Sequence, residues 1–496
     1  MRFERINDKL IPSLCKTNSR PISQFSKIPQ FTLNLKYPMN VNLQHLLTGK
    51  QLLMDDLPYT LPEIQSHYEN GYITYRKGID YLTNHKPICV RCGNQEQHWF
   101  GRFPCSRCDE TCHYCRKCLM MGRLSECTPL IGWKGPVPDW TIPEKTLEWQ
   151  GTLSAGQQEA SNRLKEAIQS HQELLVWAVC GAGKTEVLFA GIAAALAALK
   201  RVCIATPRTD VVLELTPRIK AAFPHTPVAS LYGGSEDRHR YAPITIATTH
   251  QLLRFYQAFD TMILDEVDAF PYTVEESLQY AVSQARKPKS SMIYLTATPN
   301  EKWQNECLSG KRAYVTIPAR FHRFPLPVPE YVWCGNWQKL LKKNNLPSNV
   351  LQWASIRLRN GKQALLFFPH IVQMDKALAI LRRLSPKIEA VHAEDPWRKE
   401  KVQKMRDEQI PLLLTTTILE RGVTFPNIDV AVIGAEDDVF TESALVQIAG
   451  RAGRSRKFPN GAVTFFHYGK TKEMVKAKNQ IEYMNREGRL KGLIDG

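Results

Sequence analysis

No stretch of this 496-residue chain reaches the roughly 18 consecutive apolar residues that a membrane-spanning helix needs. The longest candidate, Val187 to Leu199, is too short and follows a glycine loop, so it reads as a core helix. Met1 to Ser19 is charged and broken rather than apolar, so no secretory signal is expected. Acidic residues are in deficit. Against 65 Lys and Arg stand 48 Asp and Glu, a formal net charge of +17. That excess favours polyanions, meaning nucleic acid or an anionic membrane surface. Cysteine is scarce except in one block: of 13, eight crowd into residues 89–127. So many thiols fit a reducing, cytosolic compartment and a metal site. The remaining composition, 43% hydrophobic and 23% charged, is that of an ordinary soluble globular protein, too long for a single core.

What is present centres on residues 174–199. The apolar run Leu174 to Val179 predicts a buried parallel strand, and Cys180-Gly181-Ala182-Gly183 a tight loop. Lys184 and Thr185 then open an Ala-rich helix. Backbone N–H groups and the positive end of the helix dipole face anions at such a place, and Lys184 adds a point charge. Thr185 is placed to hold Mg²⁺. Residues Ala178 to Thr185 (Ala178, Val179, Cys180, Gly181, Ala182, Gly183, Lys184, Thr185) depart from G-x-x-x-x-G-K-[ST] only at Ala178, which replaces the first glycine. A second strand, Thr261 to Leu264, ends in Asp265-Glu266-Val267-Asp268. Carboxylates there suit Mg²⁺ (Asp265) and the attacking water (Glu266), although acidic clusters after strands also serve as helix caps. Together the two stretches predict an ATPase. Gln157, just upstream, is positioned to read an adenine edge if it is not simply a surface residue.

In chain order, residues 1 to about 40 predict a loose basic arm, within a partly disordered basic region 1–86. Leu61 to Ile64 begins a short helix, and Tyr68, Tyr72, Tyr75 and Tyr81 either pack or stack on bases. Residues 87–130 hold Cys89-x-x-Cys92, Cys105-x-x-Cys108, Cys112-x-x-Cys115-x-x-Cys118 and Cys127. A Cys-x-x-Cys turn presents two thiolates to one tetrahedral ion, and two turns close a structural Zn²⁺ site with no open position for catalysis. Eight cysteines suffice for two ions. A thioredoxin-like redox unit is excluded, because the turns recur without a βαβ frame. Arg91, Arg102, Arg107, Arg116, Lys117 and Arg123 ring the block and suggest phosphate contacts.

Strand–helix alternation over 150–317 predicts a doubly wound parallel sheet. Its strands before Thr206-Pro207-Arg208-Thr209 and Thr248-Thr249-His250-Gln251 end where a phosphodiester backbone could be gripped. A proline-rich linker (318–345) leads to a second α/β lobe (346–496) without a phosphate loop. There Arg451 and Arg454, three apart on a predicted helix, share a face and suit an arginine-finger pair.

The ordered motifs AVCGAGKTE, TPRTDVVLEL, TTHQLL, ILDEVDAF, LTATP, TTTILERGVTFPNIDV and QIAGRAGR resemble superfamily 2 DEAD/DEAH-type helicases, with DEVD for DEAD. The resemblance implies two tandem RecA-like lobes. It also implies that Lys184 and Thr185 bind phosphate and Mg²⁺, and that Asp265 and Glu266 serve metal and water. Thr296-Ala297-Thr298 would couple hydrolysis to movement, and Gln447, Arg451 and Arg454 would sense the γ-phosphate. A zinc block directly before the motor, with Cys115 to Arg123 (CRKCLMMGR), looks like the ComFA family of late-competence ATPases. By that resemblance the chain is an ATP-dependent single-stranded DNA translocase for DNA uptake. Its partners would be a membrane channel and other late-competence proteins, and it would sit in the cytoplasm at the inner face of the membrane. The minimal family version keeps the outer knuckle and the Cys-Arg-x-Cys turn. This supports one site of Cys89, Cys92, Cys115 and Cys118 and a second of Cys105, Cys108, Cys112 and Cys127. A PriA-like restart helicase, whose zinc region follows its phosphate loop, and a zinc-bearing RNA helicase are the alternatives.

Overall fold

The computed structural model describes residues 2–7, 9–13, 18–82 and 85–495. Two parallel sheets, of seven and six strands, dominate it, and smaller antiparallel pairs surround the cysteines. Contacts divide the chain into two units.

The first unit comprises Met1–Gln150, Leu164–Leu174 and Phe189–Tyr294. Its N-terminal part is folded where a loose arm was expected. Arg2–Ile6 pairs antiparallel with Lys9–Ser13 and with Arg20–Pro21. Phe3, Leu10, Ile22 and Phe25 pack with Leu43, Leu47 and Ile64 in one core. The arm's strands bury a single large apolar side chain each among charged neighbours, too brief an alternation to show as a period. Residues 14–17 of that arm lie outside the described residues. The expected helix runs over Leu61–Glu69 and starts on a capping box, with the Thr60 amide donating to the Glu63 carboxylate at 2.8 Å. Tyr68, Tyr72 and Tyr75 are buried, and the Tyr68 and Tyr75 rings lie 4.4 Å apart, so these three are core residues and not a base-stacking face. Further on, parallel strands lie in the order Val228–Leu231, Ile244–Thr248, Val202–Thr206 and Phe259–Asp265. The first three are buried at every position, as near-continuous apolar runs with both faces covered demand.

The second unit comprises Gly151–Arg163, Leu175–Leu188 and Leu295–Gly496. Leu175 to Ala178 pair in parallel with Tyr314 to Ile317. The six-stranded sheet has the order Glu330–Trp333, Val463–His467, Ile428–Ile433, Gln363–Phe367, Leu412–Thr415, Glu389–Val391, and its five pairings are all parallel. Its edge strand, Glu330–Trp333, comes from the stretch expected to be only linker. Three prolines just upstream, at 325, 327 and 329, mask it, and an edge is where a sheet tolerates such a neighbour. Trp337, Trp353, Phe368 and Leu381 fill the core beside this sheet.

Candidate nucleotide site and cysteine clusters

The phosphate-loop sequence folds as its residues dictate. Glu173–Ala178 is a strand, the helix Lys184–Ala197 follows, and Val179 to Gly183 turn between them. Gly183 sits at φ +70°, and a Cβ there would come within 2.4 Å of the Gln157 amide nitrogen. Only glycine fits. Gln157 itself is buried and braces the loop: its Nε2 donates to Ala182 O at 2.8 Å, and its Oε1 accepts from the Ser154 amide at 2.8 Å. It is therefore not the surface glutamine that was the alternative. Lys184 and Thr185 head the helix, with Lys184 half-buried and Thr185 buried.

The loop touches the end of the helix Glu442–Ala449. The Cys180 thiol donates to Gln447 Oε1 at 3.0 Å. Gly450 lies so close that a Cβ on it would meet Cys180 Cβ at 2.6 Å. The helix stops at Ala449, so Arg451 and Arg454 are not on one helical face as expected. Gly450 caps the helix, and the chain turns beyond it. Arg451 is buried, with Nε donating to Glu420 O at 2.8 Å and Nη1 to Val423 O. Arg454 is half-buried and donates to Gly450 O at 3.0 Å and Thr424 Oγ1 at 3.3 Å.

Sequence reading passed over Arg320. Its side chain is 1% exposed. It donates to Cys180 O at 3.3 Å, Ala452 O at 2.8 Å, Gly450 O at 3.0 Å, and Gly453 O. Burial and the like charge of Arg454 push its pKa down to about 9. The expected coupling motif is also in this unit. Thr298 Oγ1 meets Ser443 Oγ at 2.8 Å, Ser443 accepts from Arg421 at 3.0 Å, and Ala297 O accepts from Trp177 Nε1 at 3.1 Å. The Thr298 amide closes onto Thr296 Oγ1 at 2.9 Å.

In the first unit, Asp265 ends the strand Phe259–Asp265 and accepts from the Glu266 amide at 2.9 Å. Glu266 adopts φ +54°, a left-handed conformation that costs a non-glycine residue about 1–2 kcal/mol. Strain of this kind at the end of a strand is where functional side chains are aimed. Val267 is buried.

The eight block cysteines gather into two buried quartets: Cys89, Cys92, Cys115 and Cys118, and Cys105, Cys108, Cys112 and Cys127. Within each, all sulfurs lie within 4.8 Å of one another. A Zn–S bond of about 2.3 Å puts tetrahedral sulfurs roughly 3.8 Å apart. Cys89–Cys118 and Cys92–Cys115, at 3.7 and 3.6 Å, fit that spacing, and Cys105–Cys127 and Cys108–Cys112 are tighter at 3.4 and 3.1 Å. All are far beyond a disulfide bond of about 2.05 Å. The donor set and spacing fit a structural zinc ion at each quartet. The expected basic ring is only partly a surface. Arg91 is buried and bound to the turn after Cys118, Arg107 pairs with Asp55 at 2.7 Å, and Arg123 stacks 4.1 Å from the Phe103 centroid.

Also in the first unit, a cleft of about 570 Å³ is lined by both flagged hydroxyl-rich strand ends, at Pro207, Thr209, Thr248, His250 and Gln251. Arg238 and Arg254 join them. Among the described residues no helix is long and apolar enough to cross a membrane.

Comparison with known proteins matches residues 32–132 to the Competence protein ComFA N-terminal domain. Residues 150–301 match the Type III restriction enzyme res subunit, and 342–456 the Helicase conserved C-terminal domain. The chain is 50% identical over 444 residues to Competence protein ComFA of Bacillus subtilis (strain 168), covering 89% of this chain and 95% of that one. It is 38% identical over 403 residues to Competence protein ComFA of Streptococcus pneumoniae, covering 79% and 92%. Replication restart protein PriA of Haemophilus influenzae is 26% identical over 261 residues, covering 47% of this chain and 35% of its own.

Proposed function

The chain belongs to the ComFA family of competence proteins, and from that premise we propose that it hydrolyses ATP to draw single-stranded DNA inward during natural competence. It is an ATP-driven helicase-type enzyme acting on nucleic acid. In this reading the loop Ala178 to Gly183 and Lys184 hold the ATP phosphates, and Gln157 keeps the loop in shape. Thr185 and Asp265 would hold Mg²⁺, which neutralises phosphate charge when bound. Glu266 orients and deprotonates the attacking water. Gln447, Arg451 and Arg454 answer to the γ-phosphate, and Thr296-Ala297-Thr298 passes the change on. Arg451 would leave the carbonyls of Glu420 and Val423 to do so. Zinc in the two cysteine quartets would hold the N-terminal module together. A membrane DNA-uptake channel and other late-competence proteins complete the proposed setting, at the cytoplasmic face of the membrane.

The observation that carries the motor reading is the direct bond from the phosphate loop to Gln447, 3.0 Å from Cys180 Sγ. It joins the loop proposed to hold phosphate to the segment bearing both arginines, which supports a short route between the two. Measuring ATPase rate with single-stranded DNA, duplex DNA and RNA side by side tests the substrate. Strongest stimulation by single-stranded DNA is expected. Preference for RNA would replace the reading with an RNA helicase, and preference for forked duplex with a PriA-like one.

A further inference from the structure

We propose that the turn Cys118–Gly122 of the cysteine module forms one wall of the nucleic-acid cleft, and that Met120 lies against the unstacked bases of a single strand. This rests on the reading that nucleic acid occupies the cleft of the first unit. Leu119 to Met121 form a single 3-10 turn, and Met120 is 71% exposed while lining the cleft with Met121. Across the lining stand Tyr232, Gly233 and Gly234, and a Cβ on either glycine would meet nothing within 4 Å, so a ligand can come up to the backbone there.

The charge around the cleft selects an anion. Arg238 and Arg254 share one carboxylate, Asp56, with Arg254 at 3.9 Å. Beneath them Lys50 donates to Arg238 O at 3.2 Å, and burial with Arg201, Arg254 and Arg238 nearby pushes its pKa down to about 7. One acid cannot balance these bases, and phosphates complement the surplus. An exposed thioether adds nothing to phosphate recognition. It gains against base faces, because methionine is apolar, adaptable and polarisable and pairs well with aromatic rings. Base faces are available on a single strand and hidden by stacking in a duplex.

The turn is anchored to one quartet in particular. Arg91, inside the Cys89–Cys92 knuckle, donates to Cys118 O at 2.8 Å, Met121 O at 2.7 Å and Gly122 O at 2.6 Å, and reaches Cys118 Sγ at 3.1 Å. The first quartet therefore sets where Met120 stands.

Fluorescence anisotropy of the full chain with labelled oligothymidylate, at several salt concentrations, tests this. Met120→Ala should weaken binding about two- to tenfold, the range of a sulfur–aromatic contact, with the salt slope unchanged. Met120→Leu should restore most of it, and duplex binding should not move. Arg238→Ala should instead lower the log–log salt slope by about 0.7. Loss in Arg238→Ala with wild-type binding in Met120→Ala would overturn the inference and leave the cleft reading standing. No loss in either variant would overturn both.

Discussion

The Cys180 thiol and the Gln447 side chain, both buried, are joined by a hydrogen bond of 3.0 Å. A neutral thiol is a weak donor, so the bond alone is worth little. Its significance lies in what surrounds it. Gly450 has no side chain to hold the two segments apart, and Arg320 ties Cys180 O to the carbonyls of Gly450, Ala452 and Gly453. In the proposed motor, sensing at this loop would need no long relay.

Arg320→Ala should destabilise the protein by about 3 kcal/mol, because it leaves several buried carbonyls without a donor. Arg320→Lys should recover only part of this, since one ammonium cannot reproduce the planar fork. Denaturant titration decides it. A wild-type midpoint in the Ala variant would remove Arg320 from the account.

Lys184→Ala should abolish ATP hydrolysis while leaving single-stranded DNA binding close to wild type. Lys184 heads the phosphate-loop helix, whereas the proposed strand contacts lie around Arg238, Arg254 and Met120. Near-normal turnover in that variant would sink the assignment of the nucleotide site.

Arg454→Ala should slow turnover by about 10³-fold or more with little change in ATP affinity, as expected of a group that meets charge in the transition state. An equal loss in affinity would mean ground-state binding instead. Arg451→Ala should add a stability loss, because its buried guanidinium already serves Glu420 O and Val423 O.

What could be read from sequence was what short spacing encodes. Gly181, Gly183, Lys184 and Thr185 mark the loop because backbone conformation and phosphate chemistry constrain adjacent residues, and the Cys-x-x-Cys turns mark ligand pairs for the same reason. Apolar runs such as Leu174 to Val179 announced buried parallel strands. The fold of residues 2–7, 9–13 and 18–25 was not legible, since Phe3 and Leu10 complete their core with distant residues such as Leu47 and Tyr75. Arg451 and Arg454 were placed on one face because the helix was extended through Gly450, which ends it. Arg320 acts through carbonyls far off in sequence, and no local pattern distinguishes it.

Lys50 makes stability depend on pH. Its ammonium has an ordinary pKa of 10.5, lowered in the fold to about 7. Between those values the unfolded chain holds a proton that the folded chain has released, so stability rises with pH across roughly 7 to 10.5. Lys50→Met should therefore be more stable than wild type near pH 7, by on the order of a few kcal/mol. The difference should shrink toward pH 10. Parallel pH profiles for the two proteins would contradict the buried-amine account.

The metal content follows from how the quartets share structure. The paired strands Phe100–Cys105 and Glu110–Cys115 carry ligands of both: Cys105 and Cys112 belong to the second quartet, Cys115 to the first. Two zinc ions per chain are expected. Cys89→Ser removes one ligand of the first quartet and leaves that hairpin's backbone ladder intact, so the second quartet should keep its ion and the count should fall to one. Because Arg91 fixes the Met120 turn to the first quartet, the same variant should weaken oligothymidylate binding. Cys105→Ser should also bind one ion but retain more of that affinity. Most ATP binding should survive in both, since zinc in small modules stabilises chiefly the module that it folds. Metal analysis beside anisotropy gives the answer. One ion in the wild type would discard the second site, and equal DNA affinity in the two cysteine variants would break the link between the first quartet and the cleft.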